Sequence, residues 1–398
     1  MAVHDVEKVS LFSSAGKPVR YEQLDSLRGV AALAVVIGHI YIAYNDNVGT
    51  AVYRSPLSPY LTGPFSVVLF FVLSGFVLSV PQLGGKTLSY RAYAVRRVCR
   101  LWVPFAFAVL VSLLLWMALG AKAADIPSHV VSQSWGIPMT TADLVKHFFM
   151  VGWPSTAFQL DPPTWSLIIE MRASLLFPLL FCFGTKAGRV AVVVAAFMTI
   201  TAVAIKSKLL NDPSAVSAES AIGSMVLTLR YIGFFIFGIA CAAYIKALKR
   251  VMRRIPIVGH LVVVCIFIVG MVVLAHGNHI NTMLNDVYYG AFAAYFISLC
   301  VASRRLADFL RSGPFPWLGN VSFSLYLIHW PIICATIIVL LDRITLPAAL
   351  FVSFPLTLLA AAFMERWVER PSHELGKRLS AKIERVRRRS DQSATIEA

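Results

Sequence analysis

Arg28 and His39 stand eleven residues apart in the first long apolar run of the chain, Leu24–Ala43 (LDSLRGVAALAVVIGHIYIA). That spacing is about three helical turns, or roughly 16 Å of rise, and eleven steps of ~100° return nearly to the same helix face. A charge at the centre of a membrane helix costs about 2.5–3.5 kcal/mol on insertion scales, so such residues face a protein interior or a wet cavity. A permanent cation at one depth and a titratable imidazole at another, on one stripe, suit a polar path through a membrane or a site that works across it.

Four further clusters carry polar chemistry. Arg96-Arg97-Val98-Cys99-Arg100 offers guanidinium forks that match phosphate oxygens, or serves as an ordinary basic anchor for lipid headgroups. Glu170, in Trp165-Ser-Leu-Ile-Ile-Glu-Met-Arg172, is an intramembrane carboxylate that needs either a function or a strong partner. Arg172 is a poor partner, because residues two apart point to different helix faces. Ser322, Tyr326 and His329 fall at i, i+4 and i+7, one polar stripe on an otherwise apolar segment. The stripe either hydrogen-bonds within the bundle or lines a site. Ser74-Gly75, in Phe70-Phe71-Val72-Leu73-Ser74-Gly75-Phe76, reads first as a close helix contact.

These residues must be positioned by membrane helices. Of 398 residues, 58% are hydrophobic and only 14% charged, and the mean hydropathy is +0.72; a soluble domain carries nearer a quarter charged. Apolar runs of the length needed to span hydrocarbon recur near 24–44, 60–80, 101–119, 163–183, 190–205, 221–245, 257–275, 286–303, 320–341 and 346–366. The expected fold class is therefore an all-α integral membrane protein of about ten transmembrane helices. Residues 1–20 form a leader, 21–372 the membrane domain and 373–398 a basic tail, with no soluble domain appended. Ala121–Pro162, which holds Trp135 and Trp153, reads as an external loop with one interfacial helix.

The net charge of +16 is a topology signal rather than a nucleic-acid signature. Lys and Arg gather in alternate connections, after the second, fourth, sixth, eighth and tenth runs, which places both termini in the cytoplasm. The six cysteines show no C-x-x-C spacing, and no metal site is expected. The His276 and His279 pair offers only adventitious metal binding. No inverted repeat of the transporter kind is visible.

Taken in order, several segments resemble the membrane acyltransferase-3 family, which includes O-antigen and other surface-glycan O-acyltransferases. They are Leu24–Ala32 with His39, Phe70–Phe76, Arg97-x-x-Arg100, Trp165-Ser-Leu-x-x-Glu170, Ser322-x-Ser-Leu-Tyr-Leu-x-His329-x-Pro331 and Glu369-Arg370-Pro371. The resemblance runs from about residue 21 to 372. It implies a ten- or eleven-helix fold in a bacterial-type inner membrane. It also implies transfer from cytoplasmic acyl-CoA, commonly acetyl-CoA, to a hydroxyl of an extracytoplasmic acceptor such as a cell-surface carbohydrate. Arg28 and His39 match the family's first-helix Arg and His, Arg97 and Arg100 its Arg-x-x-Arg pair, and Glu170 its fourth-helix acid. Ala173 and Ser174 stand where family members often carry aromatics, and Phe323 replaces the usual Tyr.

Acyl transfer needs a base near neutral pKa beside the hydroxyl, and His39 has that chemistry. Glu170, expected at a similar depth, would orient it. Arg97 and Arg100 would hold the donor's phosphates, Arg28 would meet the donor arm or its carbonyl, and Ser322, Tyr326 and His329 would line the site. Direct transfer is expected, since the chain has no G-x-S-x-G elbow. The rival reading is a secondary transporter or flippase, which also uses intramembrane Arg, Glu and His. Among acceptors, lipopolysaccharide, capsule, exopolysaccharide, peptidoglycan and a small metabolite all remain open.

Overall fold

A computed structural model describes residues 20–44, 63–85, 88–150, 157–210, 220–275 and 279–396. Most of the leader, Trp153 and His276 lie outside the described residues, as does the side chain of His279. No strand occurs among them. The helices are α1 Glu22–Tyr44, α2 Pro64–Leu83, α3 Tyr90–Leu119, α4 His129–Trp135, α5 Thr141–Phe148 and α6 Ala157–Leu160. They continue with α7 Trp165–Lys186, α8 Arg189–Ala204, α9 Ala221–Ala243, α10 Ile245–Arg254 and α11 Ile257–Ala275. The last are α12 His279–Ala302, α13 Arg304–Leu310, α14 Phe315–Leu340, α15 Leu346–Met364 and α16 Arg370–Ile396.

Among the described residues, 8 helices are long and apolar enough to cross a membrane, or up to 10 if each bent pair counts as one span. The bent pairs are α10 with α11, at 108°, and α12 with α13, at 94°. Each of the ten apolar runs thus falls on a helix. The structure departs from the sequence expectation in two places. Helix α3 starts at Tyr90, where the Ser89 side chain accepts the Ala92 N–H as an N-cap, so the arginine cluster rides on the helix rather than in a loop. Among its described residues the external segment holds three short helices and two 3-10 turns, Gly120–Asp125 and Pro162–Thr164, instead of one interfacial helix. Pro127 and Pro138 interrupt it, since proline removes a backbone donor and fixes φ. Beyond α15 the chain passes through a π-helical turn, Glu365–Glu369, straight into α16.

Two close crossings hold the frame. Helices α1 and α14 run parallel: a methyl added at Gly29 would lie 2.5 Å from the Leu318 backbone, and one at Gly319 2.7 Å from Asp25. Helices α2 and α9 meet at Gly75 and Gly238, where added methyls would lie 2.1 Å from Phe235 O and 2.0 Å from Val72 O. Small residues at such crossings let backbones touch, which supplies the packing that lipid exclusion cannot. Across α9 and α12, Arg230 and Asp286 form a buried bidentate pair, with Nη2 donating to Oδ1 at 2.7 Å. The exposed face of α11 is apolar (Ile257, Val258, Leu261, Val262, Ile266, Val269 and Val273), as a lipid solvent requires.

Candidate active site

The parallel register of α1 and α14 sets the first half of the site. Gly29 meets Gly319 near one end, and ten residues further along both helices His39 meets His329. The His39 Nδ1 and His329 Nε2 atoms are 3.1 Å apart. His329 is fully buried, and its Nδ1 lies 3.1 Å from the Leu325 carbonyl. A carbonyl only accepts, so His329 Nδ1 carries the proton and its Nε2 presents a lone pair. His39 Nδ1–H donates to that lone pair and to Val35 O at 3.0 Å. The tautomer chain leaves His39 Nε2 bare, able to take a proton.

The second half is an inner chamber of about 60 Å³, lined by residues of α1, α2, α3, α7 and α14. This is room for a few waters or a small acyl group. Glu170 enters from α7. Its Oε1 accepts from Ser74 Oγ at 3.0 Å and from Arg97 Nη2 at 3.3 Å, the latter an ion pair. Arg97, 6% exposed, also donates to Ser174 Oγ at 2.7 Å, and its Nε has no hydrogen-bond partner among the described residues. Tyr326 donates to Pro163 O at 2.9 Å and lies 2.8 Å from Ser166 Oγ. Its ring packs edge-on against Phe70 at 5.5 Å on one side and lies 6.1 Å from the His329 ring on the other. The chamber's lining includes Tyr326 and Phe70 but neither histidine, and Tyr326 is the lining ring that also meets His329.

Arg28, Val77 and Arg100 line the chamber and also a wider mouth of about 410 Å³ at the basic end of the bundle. Arg20, Arg96 and Lys377 add to the mouth's positive charge, and His373, held neutral by burial and by the cations around it, lines the same cavity. Its one lining carboxylate, Asp25, is engaged by Arg20 at 2.9 Å and lies 3.8 Å from Arg28. The arrangement provides a basic vestibule, a narrow polar chamber joined to it and a histidine pair next to the Tyr326 ring of that chamber.

The structure brings Arg28, Arg97, Arg100, Glu170, Ser322 and Tyr326 to one chamber. It splits the arginine pair: Arg100 faces the mouth, whereas Arg97 turns inward to Glu170. The expected Glu170–His39 contact does not form, because α1 lies along α14 at that depth and His329 takes the position. Ser322 Oγ donates back to Gly319 O within its own helix. Sequence reasoning missed Ser74 and Ser174 as Glu170 and Arg97 partners, and passed over His373 and Lys377. Their only sequence signal was a histidine and a lysine four apart in a basic tail, which is not distinctive. Asp161 was also missed: it is fully buried, both its oxygens lack partners among the described residues, and burial pushes its carboxyl well above the usual range.

Comparison with known proteins gives two findings. Residues 21–366 match the family described as an acyltransferase domain. A protein of Bacillus subtilis (strain 168) named "Putative peptidoglycan O-acetyltransferase YrhL" is 24% identical over 335 residues, which is 78% of this chain and 48% of that protein. The chain therefore spans about half the length of that curated relative. No solved structure matches.

Proposed function

Because the chain belongs to the acyltransferase-3 family, we propose that it is a membrane O-acyltransferase that moves an acyl group, acetyl foremost, from a coenzyme A thioester to a hydroxyl of an envelope carbohydrate. The donor enters at the basic mouth, which faces the cytoplasm of a bacterial cell, and the acceptor approaches His39 from the other side of the inner membrane. The observation that carries this reading is the succession of mouth, chamber and histidine pair along one bundle axis. The mouth suits a polyphosphorylated nucleotide, and the partnerless Arg97 Nε inside the chamber suits a polar donor arm. The peptidoglycan acceptor named for the B. subtilis relative makes a bacterial envelope glycan the first acceptor to try.

The chemistry follows from the tautomer chain. His39 Nε2 takes the acceptor's hydroxyl proton as that oxygen bonds to the acyl carbon. Collapse of the tetrahedral adduct breaks the carbon–sulfur bond, and the departing thiolate receives the proton from His39. His329 keeps the ring oriented and accepts from the imidazolium while it is charged, the part an aspartate plays in other triads. Glu170, with Oε1 occupied by Ser74 and Arg97, offers Oε2 to the donor arm. Arg28 and Arg100 hold the arm where mouth and chamber meet, and Tyr326 must shift for the acyl carbon to reach His39.

The test uses full-length protein in lipid nanodiscs with acetyl-labelled acetyl-CoA and peptidoglycan fragments or other bacterial polysaccharides. The expected product is a base-labile ester on the glycan, lost in His39→Ala protein that elutes normally on gel filtration. No ester with any acceptor and no thioester consumption, together with unmodified glycan accumulating inside vesicles, would establish transport instead.

A further inference from the structure

Helix α16 lies beyond the family match, which ends at residue 366, yet it is built into the bundle. It continues α15 through the π turn, where Ser324 Oγ donates to Glu369 Oε2 at 2.6 Å and Arg370 pairs with Glu365. Two turns on, Gly376 presses the helix against α3: an added methyl would lie 3.0 Å from Cys99 Cβ and 3.3 Å from Arg96 O. Further out, Glu384 Oε1 accepts the Ser89 backbone N–H at 2.8 Å and its hydroxyl at 2.5 Å. Swinging the helix away would break these hydrogen bonds and open the contact at Gly376. These contacts set His373 and Lys377, one turn apart and so on one face, into the wall of the basic mouth.

His373 Nε2 is buried there with no hydrogen-bond partner among the described residues. Lys377 reaches the mouth from a half-exposed position and is bonded only to Glu374, at 2.5 Å on its own helix. Such an exposed i, i+3 pair is weak and easily exchanged for a stronger anion. Arg20, Arg28, Arg96 and Arg100 line the same mouth, and its one carboxylate, Asp25, is already engaged by arginines. A cavity lined by an excess of cations suits a phosphorylated guest, and the His373 imidazole can donate to it in the Nε2–H tautomer.

We propose that α16 is part of the donor site, with His373 and Lys377 binding phosphate of the donor nucleotide; this rests on the acyltransferase reading above. The phosphate chemistry is shared by the nucleotide and by an anionic lipid headgroup. The inference commits to the nucleotide, because the mouth opens through Arg28 and Arg100 into the chamber that would take the acyl arm. Arg100 of the family's arginine motif and this terminal helix, packed against the motif's own helix, would then line the mouth side by side.

The experiment compares two donors on the full-length protein: acetyl-CoA, and S-acetyl-N-acetylcysteamine, a short thioester without the nucleotide. His373→Gln/Lys377→Gln should raise KM for acetyl-CoA by about tenfold or more, as loss of charge-assisted phosphate bonds implies. It should leave kcat, and all constants for the short thioester, within about twofold. Arg378→Ala, on the same helix but not lining the mouth, should behave as wild type. An unchanged KM for acetyl-CoA overturns the proposal, as does an equal loss with both donors, which marks a structural role. An effect seen only in anionic nanodiscs and absent in zwitterionic ones assigns the cluster to lipid and also overturns it. Wild-type protein that consumes neither thioester refutes the acyltransferase reading itself, and this inference with it.

Discussion

Replacing His329 by leucine isolates the contribution of the histidine pair to catalysis. The substitution removes the acceptor 3.1 Å from His39 Nδ1 but leaves Val35 O at 3.0 Å, so the ring keeps one of its two anchors. As His39 takes the hydroxyl proton the lost bond would have been charge-assisted, and hydrogen bonds to charged groups contribute about 1.5–3 kcal/mol. At about 1.36 kcal/mol per factor of ten, kcat should fall by about 10- to 150-fold. KM for the donor should hold, since His329 does not line the mouth or the chamber. His39→Ala, which removes the base itself, should cost about 10²- to 10⁴-fold. His329→Gln restores an acceptor near the Nε2 position and should retain activity within about threefold to fivefold of wild type. The assay is steady-state label transfer from acetyl-CoA, run beside gel filtration and thermal unfolding so that folding losses are seen separately. His329→Leu at wild-type kcat in well-folded protein would falsify the tautomer chain, and a glutamine variant as impaired as the leucine variant would show that the acceptor atom is not what matters.

Other predictions follow from the packing. Gly238→Ala places a methyl 2.0 Å from Val72 O. Overpacking of this kind costs about 1–3 kcal/mol or more, so detergent-solubilised protein should unfold at a clearly lower temperature; an unchanged melting curve would refute the close crossing. Asp286→Ala removes the carboxylate of the buried Arg230–Asp286 pair, and breaking such a pair costs up to about 3–5 kcal/mol. Replacing both by leucine should recover much of that loss in a thermal-stability assay. Phe70→Ala should extend donor use from acetyl to longer acyl thioesters, because the ring closes the chamber against Tyr326; a donor profile identical to wild type would exclude it as a partition. Asp161 supplies a pH signature. Its carboxyl is raised in the fold, so the native state binds more protons than the unfolded chain, and this contribution to stability is present at low pH and lost as pH rises through the folded value. Asp161→Asn should therefore flatten the decline in melting temperature between acid and neutral pH, and parallel curves for the two proteins would count against a protonated buried acid.

Much of this protein was legible in one dimension, and the reason is the solvent. Hydrocarbon forces each crossing segment to satisfy its own backbone and to show apolar side chains outward, so ten apolar runs translate directly into helices. The same economy flags intramembrane ionisable groups, and Arg28, Arg97, Arg100, Glu170 and His329 were identifiable as polar groups before any fold was known. Their partners were not identifiable. Whether Glu170 meets His39 or Arg97 depends on which helices touch and in what register, and apolar periodicity is nearly silent there because membrane helices carry hydrophobic residues all round. The register between α1 and α14 comes from two glycines at a backbone contact, which join His39 to His329 and leave Glu170 to Ser74 and Arg97. Likewise, a charged tail can be read as basic from its composition, but only the π turn at Glu365–Glu369 and the close approach at Gly376 set its His373 and Lys377 in the mouth. The amino-acid order alone determined the solvent, the spans and the polar residues. Tertiary structure decided which of those residues share a cavity, because the contacts that set helix register lie far apart in the chain and leave no periodic trace in it.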